Sequence, residues 1–377
     1  MRNFIGAILL ALLLAAIAIF LLRGQIARRV GVRFPTGQPG EAALLLPEGF
    51  TSNIFAGGLV DPRFMTVGGD GTLFVAERGR DRVVALPDHD GDGRADERIV
   101  VAEGLDDPSS LAFRPGTTEL YVGETSRVSR LSLDGLTATM RETVVADLPR
   151  RRVHTTTTVL FGPDGKLYVA RGSTCNVCIE NDPRLAAVWI YEPDGSNGRL
   201  FMTGLRNAVG LAVNPATSSI WASNNGRDLL GNDLPPDTVH ILKDGADAGW
   251  PRCHAGDIVD PEFGTGRQSC QNVAQPVLEI QAHSAALGLT FYDGERFPAE
   301  YEGNLFVALH GSWNRVPPTG YKIVRARVEN DGIVSGIEDF ATGWLQPNDD
   351  SLGRPVDVVV GKDGALLISD DKGGYIY

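Results

Sequence analysis

Apolar and polar positions alternate in short runs along most of the chain, and turns rich in Gly, Asp and Pro separate the runs. Residues 154–178 are a clear example, because an apolar run, the turn GPDG and the alternating segment KLYVAR follow one another there. A run-turn-run of this kind predicts a β-hairpin. The same pattern recurs around six aligned apolar positions, Phe74, Tyr121, Tyr168, Trp221, Phe306 and Leu367.

The spacing of these hairpins predicts the architecture. The intervals between the aligned positions are 47, 47, 53, 85 and 61 residues. A period of about 40–50 residues with several short strands per unit is typical of a β-propeller. We therefore expect an all-β fold with six blades over residues 46–377. The segment 46–59, LPEGFTSNIFAGGL, is expected to close the ring by pairing with the last blade.

The longest interval, between Trp221 and Phe306, predicts an insertion at about 232–282. This range contains Cys253 and Cys270, and a disulfide between them would restrain an otherwise long excursion. A concealed seventh blade is the alternative, but no second hairpin in this range matches the repeat.

Residues 4–22 form an uninterrupted apolar run of nineteen residues, long enough to span about 28 Å as a helix. This pattern favours an uncleaved signal-anchor helix over residues 1–22, with a linker at 23–45. A cleaved signal peptide is the alternative, because Ala16-Ile17-Ala18 resembles a small-x-small cleavage site. Three arginines after the run argue against export of the C-terminal domain, whereas the cysteines discussed next argue for it.

Charge and cysteine usage narrow the function classes. The chain has 35 Lys and Arg residues against 47 Asp and Glu, and this balance argues against a nucleic-acid partner. Cys175 and Cys178 have the spacing of a zinc half-site, a redox pair or a small disulfide loop. The second pair does not have zinc-ribbon spacing, so the disulfides Cys175–Cys178 and Cys253–Cys270 are favoured over four free cysteines. Disulfides indicate an oxidising compartment, which places the domain on the periplasmic side of the inner membrane, or free in the periplasm after cleavage.

Several arginines and two histidines occupy equivalent positions in the predicted blades, just before a hairpin or just after its second strand. Loops at one end of a propeller form its ligand site, so these residues are the candidates: Arg63, His154, Arg206, Asn207, residues 225–228, His310, Asn314, Arg315 and Arg354. A single arginine is best explained by pairing with an acidic neighbour on the surface. Five at matching positions predict a polyanionic ligand, because guanidinium groups bind carboxylates bidentately.

The motifs LRNAVGLAVNP, NNGRDLLGNDLPPDTV, GWPRCHAG, AHSAALGLTFYDGERFP, HGSWNR, GYKIVR and GRPVDVVVGKDGALLISDD occur in this order. Together they resemble the soluble pyrroloquinoline-quinone (PQQ) sugar dehydrogenases, in the L-sorbosone dehydrogenase-like and aldose dehydrogenase-like branch, over about residues 46–377. The resemblance implies a six-bladed propeller that oxidises an aldose or sorbosone-like sugar at C1, with hydride transfer to PQQ. A quinone or a cytochrome is the expected electron acceptor.

The resemblance also implies roles for particular residues. His154 matches the general base, a role that suits an imidazole because its ordinary pKa lies near neutrality. Arg206 and Asn207 match residues that polarise the quinone. The backbone carbonyls of Gly226 and Arg227 match those that bind an active-site Ca²⁺ acting as a Lewis acid. Five further residues match those that hold the cofactor: Arg63, His310, Asn314, Arg315 and Arg354.

One position departs from the family pattern. Thr157 stands where the family usually has an arginine, which weakens the expectation of cofactor binding or activity. Two other functions therefore stay open. The first is a Ca²⁺-dependent sugar lactonase on a similar fold, and the second is a membrane-tethered binding propeller without chemistry.

A separate acidic loop has the D-x-D-x-D-G-x-x-D spacing of a calcium-binding loop. Its alternate carboxylates, Asp88, Asp90, Asp92 and Asp96, predict a structural Ca²⁺ site. Position twelve of the loop is Ile99 and not the bidentate Glu of an EF-hand, so an acidic turn without an ion is the alternative.

Overall fold

The computed structural model describes residues 37–329 and 331–377 of the chain. Their strands form six blade sheets, antiparallel except for one short parallel pairing, and a separate two-stranded sheet. The first strand of each blade contacts the first strand of the next, with the last returning to the first. The predicted all-β, six-bladed propeller is confirmed. Each of the six aligned sequence positions lies in the second strand of its blade.

The blades follow chain order. Blade 1 contains β1 (Pro62–Val67), β2 (Leu73–Glu77), β3 (Arg82–Leu86) and β4 (Ile99–Glu103). Blade 2 contains β5 (Ser110–Phe113), β6 (Glu119–Gly123), β7 (Val128–Asp134) and β8 (Thr137–Val145). Blade 3 contains β9 (Thr157–Phe161), β10 (Leu167–Arg171), β11 (Ala187–Tyr191) and β12 (Arg199–Thr203).

Blade 4 contains β13 (Ala208–Val213), β14 (Ile220–Asn224) and β15 (Asp237–Ile241). An excursion with short strands β16 (Ala246–Asp247), β17 (Cys253–His254) and β18 (Ile258–Val259) precedes its outer strand β19 (Leu278–Ile280). Blade 5 contains β20 (Ala286–Phe291), β21 (Leu305–Leu309), β22 (Lys322–Val328) and β23 (Val334–Ala341). Blade 6 contains β24 (Pro355–Val360), β25 (Leu366–Asp370) and β26 (Tyr375–Ile376). Three 3₁₀ turns occur at Arg78–Arg80, Arg267–Cys270 and Ala299–Tyr301.

The excursion from blade 4 is narrower than the predicted 232–282. Asp237–Ile241 and Leu278–Ile280 are strands of the blade itself, so only residues 242–277 leave it. β16 pairs in parallel with β12 of blade 3, and the described residues contain no seventh blade. The disulfide Cys253–Cys270 closes the excursion, and the predicted Cys175–Cys178 disulfide is also confirmed.

Aromatic residues of the second strands bind consecutive blades together. Phe74 of blade 1 packs edge-on against Phe113 of blade 2, with ring centroids 5.0 Å apart. Tyr121 packs in the same way on Phe161 of blade 3 at 4.8 Å. Edge-to-face contacts of this kind add to the stabilisation from apolar burial. At Phe74 and Tyr121 the recurring aromatic is therefore a contact between blades.

The N-terminal segment closes the ring as predicted. Ala56 and Ile376 form an antiparallel bridge, and the amide of Phe55 donates to the Ile376 carbonyl at 2.8 Å. Residues 37–45, predicted as linker, also pack on the propeller. Ala42 is buried, and its amide donates to the Tyr377 hydroxyl at 2.8 Å.

No helix within residues 37–329 and 331–377 is long and apolar enough to cross a membrane. The predicted anchor at 4–22 lies outside the described residues, and so do linker residues 23–36.

The sheet register defines two ends of the ring. In each blade the start of the first strand pairs with the end of the second, as in Thr157 with Arg171 and Pro355 with Asp370. The segments before the first strands and the loops after the second strands therefore share one end, which we call the mouth face. Turns between the first and second strands lie on the opposite face.

Candidate active site

All the candidate catalytic and cofactor-binding residues lie on the mouth face. Arg63 begins the first strand of blade 1, and His154, Arg206 with Asn207, and Arg354 precede the first strands of blades 3, 4 and 6. Residues 225–228 follow β14, and residues 310–315 follow β21. Hydrogen bonds divide them into two groups, one around His154 and Arg206 and one around Arg63, His310 and Arg354.

His154 is held as a neutral imidazole. Its Nδ1 lies 3.0 Å from both the carbonyl and the hydroxyl oxygen of Ser173. A carbonyl only accepts, so Nδ1 carries the proton and Nε2 has a free lone pair. Nε2 has no hydrogen-bond partner among the described residues. Burial, with repulsion from Arg206, lowers the pKa of His154 to about 3, which keeps the ring uncharged at neutral pH.

Arg206 is buried, and five oxygen acceptors fix its guanidinium, one of them the Asn225 carbonyl at 3.4 Å from Nη1. Nε donates to the carbonyl of Asn176 at 2.8 Å, and Nη2 donates to the Asn176 side chain at 2.9 Å. Nη2 also pairs with Asp228 at 2.7 Å, and Nη1 donates to the carbonyl of Gly226 at 2.7 Å. A rigid guanidinium of this kind is preorganised to stabilise negative charge beside it.

Asn207 presents a buried acceptor without a donor. Its Nδ2 donates to the side chain of Asn225 at 3.0 Å, but its Oδ1 is buried and unpaired. A Cβ at Gly172 would lie 2.3 Å from this oxygen and 2.7 Å from the Cβ of His154. Gly172 is therefore needed for His154 and Asn207 to lie side by side. A buried acceptor left unpaired costs about 1–3 kcal/mol, so a donor from a ligand would be favourable here.

The predicted Ca²⁺ site at Gly226 and Arg227 does not fit the structure. The Gly226 carbonyl accepts the Arg206 guanidinium, so a cation on that oxygen would face a positive group at short range. The Arg227 side chain is buried and pairs with Asp260 and with Glu262, the latter at 3.0 Å. No chemistry is therefore derived from a metal at this position.

The second group centres on Asp371, which sequence reasoning missed. Its carboxylate accepts from Arg63 at 2.5 Å and from His310 Nε2 at 2.9 Å. Burial opposes its ionisation, but His310 and Arg63 outweigh that effect and hold the pKa of Asp371 well below its usual range. The pKa of His310 is lowered to about 4, mainly by burial.

Arg354 is the candidate arginine without a carboxylate partner in the described part of the chain. Its Nε donates to the His310 carbonyl at 3.0 Å, and its Nη2 donates to the Gly311 carbonyl at 2.7 Å. The other four candidate arginines pair with acids: Arg63 with Asp371, Arg206 with Asp228, Arg227 with Asp260, and Arg315 with Asp233. The uncompensated positive charge on the mouth face is thus smaller than the sequence suggests.

Asn314 and Arg315 tie two loops of the mouth face together. Asn314 Nδ2 donates to Asp228 at 2.9 Å, and Arg315 pairs with Asp233 at 2.8 Å and also donates to the Asn232 carbonyl. The carboxylates of Asp228 and Asp233 are therefore both engaged by side chains. The loops after β14 and β21 form one connected wall of the mouth.

A guanidinium lies beside Thr157 although that residue is not an arginine. Arg151 Nη2 is 3.2 Å from the Thr157 hydroxyl and also donates to the carbonyls of Thr155 and Thr156. Burial lowers the pKa of Arg151 to about 8, and repulsion from Arg171 adds to the effect. The sequence signal that could have found this residue is the run Arg150-Arg151-Arg152, five to seven residues upstream of Thr157.

The acidic loop at 88–96 lies on the opposite face, between β3 and β4. Carboxylate oxygens of Asp88, Asp90 and Asp96 come within 4.8 Å of one another. Asp92 does not join them, and its carboxylate accepts the Arg94 amide at 2.8 Å. A structural Ca²⁺ in this loop stays a prediction.

Comparison with known proteins identifies the family of the chain. The family described as a domain of unknown function, DUF7133, matches residues 41–372. The chain belongs to this family. An uncharacterised protein of Borreliella burgdorferi is 28% identical to it, over 89% of this chain and 90% of that protein.

Two further neighbours concern PQQ enzymes. The PQQ-dependent pyranose dehydrogenase of Coprinopsis cinerea is 27% identical over 87% of this chain and 53% of that protein, so the DUF7133 chain spans about half its length. The solved holo form of the pyranose dehydrogenase PQQ domain from the same organism superimposes with a TM-score of 0.79, at 24% identity, covering 92% of this chain and 98% of that domain. The predicted resemblance to the soluble PQQ sugar dehydrogenases is confirmed.

Asn176 is a further residue of this DUF7133 protein that sequence reasoning missed. It lies inside the Cys175–Cys178 loop and binds Arg206. Its side chain also accepts from the Asp228 amide and donates to the Asp228 carbonyl. The Ser173 hydroxyl, which contacts His154, donates to the carbonyl of Cys175 at 2.6 Å. The sequence drew attention to Cys175 and Cys178, but Asn176 between them is the residue that reaches the site.

Proposed function

We propose that this DUF7133 protein is a PQQ-dependent dehydrogenase that oxidises an aldose or sorbosone-like sugar at C1. The observation that carries the proposal is the neutral His154, whose Nε2 is unengaged, in one group with Arg206 and the unpaired acceptor of Asn207. A neutral base beside a fixed cation is the arrangement that removal of a hydroxyl proton and hydride transfer require.

The residues of the mouth face fit a compact polyanion with hydrogen-bond donors. Arg354 offers a guanidinium without a carboxylate partner in the described residues, and the buried Nε of Arg63 has no acceptor. The unpaired Oδ1 of Asn207 would accept a ligand N–H or O–H. PQQ, when bound, supplies a two-electron acceptor for the hydride. Arg63, His310, Asn207 and Arg354 are the residues that would hold it.

His154 supplies the proton acceptor in this proposal. Its Nε2 takes the proton of the sugar hydroxyl, while the bond from Nδ1 to Ser173 fixes the tautomer and the orientation of the ring. Arg206 cannot turn away, because Asn176, Asp228 and Gly226 hold it, and it stabilises negative charge that develops beside it.

The cysteines support a location outside the cytoplasm. Two disulfides in a chain with four cysteines favour an oxidising compartment. We therefore propose that the domain lies on the periplasmic side of the inner membrane, anchored by the apolar residues 4–22. The electron acceptor, a quinone or a cytochrome, would be encountered there.

The lactonase alternative requires a cluster of metal ligands on the mouth face. Among the described residues, the two groups of three possible metal ligands are Cys175, Cys178 and Glu180, and Asp88, Asp90 and Asp96. The cysteines of the first group are disulfide-bonded, and the second lies on the opposite face. Neither group provides the convergent carboxylates that metal-dependent lactone hydrolysis needs.

Titration of the purified protein with PQQ, followed by tryptophan fluorescence, tests the cofactor assignment. We expect saturable binding that Arg354→Gln weakens by about 10- to 100-fold, since a charged hydrogen bond contributes about 1.5–3 kcal/mol. Arg296→Gln is the matched control, because Arg296 lies on the opposite face and pairs there with Asp363. Absence of binding, or equal loss in both variants, would refute the assignment.

A further inference from the structure

Large apolar side chains are exposed in the mouth-face loops of blades 3, 4 and 5. They are Val153 (44% exposed), Ile179 (75%), Leu229 (63%), Leu234 (47%) and Trp313 (37%). Among the described residues of the opposite-face turns, Ile333 is the only exposed large apolar side chain. Exposed apolar groups concentrated at one end of a molecule mark an interaction surface.

Hydrogen bonds join the loops that carry these residues. Asn176 Nδ2, from the loop of Ile179, donates to the carbonyl of Asp228 at 3.0 Å, next to Leu229. Asn232 lies two residues before Leu234 in the same loop, and its Nδ2 donates to the Val316 carbonyl at 2.8 Å. We call the five residues Val153, Ile179, Leu229, Leu234 and Trp313 the apolar rim, since they lie in neighbouring loops of the mouth face.

The chain enters the described structure at the same end. The amide of Gly40 donates to the Leu352 carbonyl at 3.1 Å, and Leu352 belongs to the mouth-face segment that leads into Arg354. The apolar run 4–22 is separated from Gly37 by residues 23–36. Fourteen residues span at most about 50 Å when fully extended, so an anchor in that run would keep the mouth face close to the membrane.

The acidic loop favours the same orientation. Loop 88–96, with Asp88, Asp90, Asp92 and Asp96, lies on the opposite face, where the turn carboxylate of Asp363 is compensated by Arg296. Anionic lipid headgroups repel a carboxylate-rich end and accept exposed apolar side chains at the boundary with the acyl chains.

We propose that the mouth face docks on the surface of a lipid bilayer through the apolar rim. The rim occupies blades 3 to 5, so docking tilts the ring and leaves the mouth-face loops of blades 1, 2 and 6 open to water. A sugar enters from that side. The docking itself does not depend on the reaction. Its consequence rests on the proposed function: an electron acceptor dissolved in the bilayer reaches the mouth without leaving the lipid.

The test uses the full chain in vesicles of phosphatidylcholine and phosphatidylglycerol that contain a doxyl-labelled lipid. All four cysteines are in disulfides, so a single introduced cysteine takes an environment-sensitive dye selectively. Leu229→Cys reports the rim, and Ile333→Cys is the matched control, since the two residues are 63% and 61% exposed. We expect at least twofold stronger quenching and a blue shift at position 229. Failure of the full chain to bind vesicles, or equal quenching at both positions, would overturn the proposal.

A second variant tests the rim itself. In a chain that also carries Ile179→Glu and Leu234→Glu, the dye at position 229 should lose at least half of its quenching, because two charges at the interface oppose insertion. Unchanged quenching would show that the rim does not dock. This readout is independent of PQQ, so it can succeed or fail separately from the proposed reaction.

Discussion

The state of His154 has a measurable consequence for the dependence of rate on pH. A base acts only when unprotonated, and burial lowers the pKa of His154 to about 3. The pH at which protonation of the base begins to lower kcat/KM is therefore far below its ordinary value. We expect kcat/KM to change less than threefold between pH 7 and pH 5. An imidazole with its ordinary pKa of about 6.5 would lose about 25-fold over that range.

The measurement is initial-rate dye reduction by the PQQ-loaded protein, with circular dichroism at each pH to confirm that the fold persists. A fall of tenfold or more by pH 5 in a folded protein would show that the base is not a buried neutral His154.

At the residue scale, sequence patterns located the candidates but not their partners. His154, Arg206 and Arg354 follow from their positions in the repeat and from the resemblance. The acidic partner of a candidate can come from a distant part of the chain, as Arg63 and Asp371 show with a separation of 308 residues. No local pattern reveals such a pairing, so the sequence overstated the free positive charge and missed Asp371 altogether.

At the scale of a single element, the Cys175–Cys178 loop contacts both sides of the site. It reaches His154 through Ser173, and it reaches Arg206 through Asn176. Asn176→Ala removes an acceptor from Arg206 and two bonds to the backbone of Asp228. We expect kcat to fall by about 10- to 100-fold with little change in KM, because a small displacement of a fixed charge weakens transition-state stabilisation.

Removal of that disulfide by Cys175→Ala with Cys178→Ala should reproduce the kinetic effect of Asn176→Ala. The matched control is Cys253→Ala with Cys270→Ala, which opens the blade 4 excursion. That change should cost about 3 kcal/mol of unfolding free energy and leave kcat unchanged. If both disulfide variants lose kcat equally, the loop has no special role at the site.

Element boundaries were harder to predict than elements. The second strand of every blade has a strong alternating pattern between turn residues, so each was found. The excursion from blade 4 was overestimated because Asp237–Ile241 and Leu278–Ile280 lack a hairpin turn between them. Only the neighbouring strands show that they belong to the blade.

At the scale of the whole molecule, one backbone pairing closes the ring between the N-terminal segment and the last strand. Ala56→Pro removes the donor to the Ile376 carbonyl, and we expect a loss of about 1–3 kcal/mol of unfolding free energy in urea. Ser52→Pro is the control, because Ser52 is exposed and precedes the bridge. Equal effects of the two substitutions would mean that the bridge does not stabilise the ring.

The ring itself could be predicted from sequence because the repeat is local and recurs six times. Its closure was predictable as well, since a propeller that begins with a first strand needs an outer strand from elsewhere for its last blade. The charge of the face opposite the mouth was not predictable, because it depends on which turns lie at that end of the strands.

The most direct test of the account is dye reduction by the purified protein loaded with PQQ and supplied with an aldose. We predict turnover that requires both PQQ and the sugar and that falls by about 10²- to 10⁴-fold in His154→Ala, while PQQ titration of that variant stays nearly unchanged. His89→Ala, on the opposite face, should keep full activity. Hydrolysis of a sugar lactone without dye reduction, or equal rates in wild type and His154→Ala, would contradict the account.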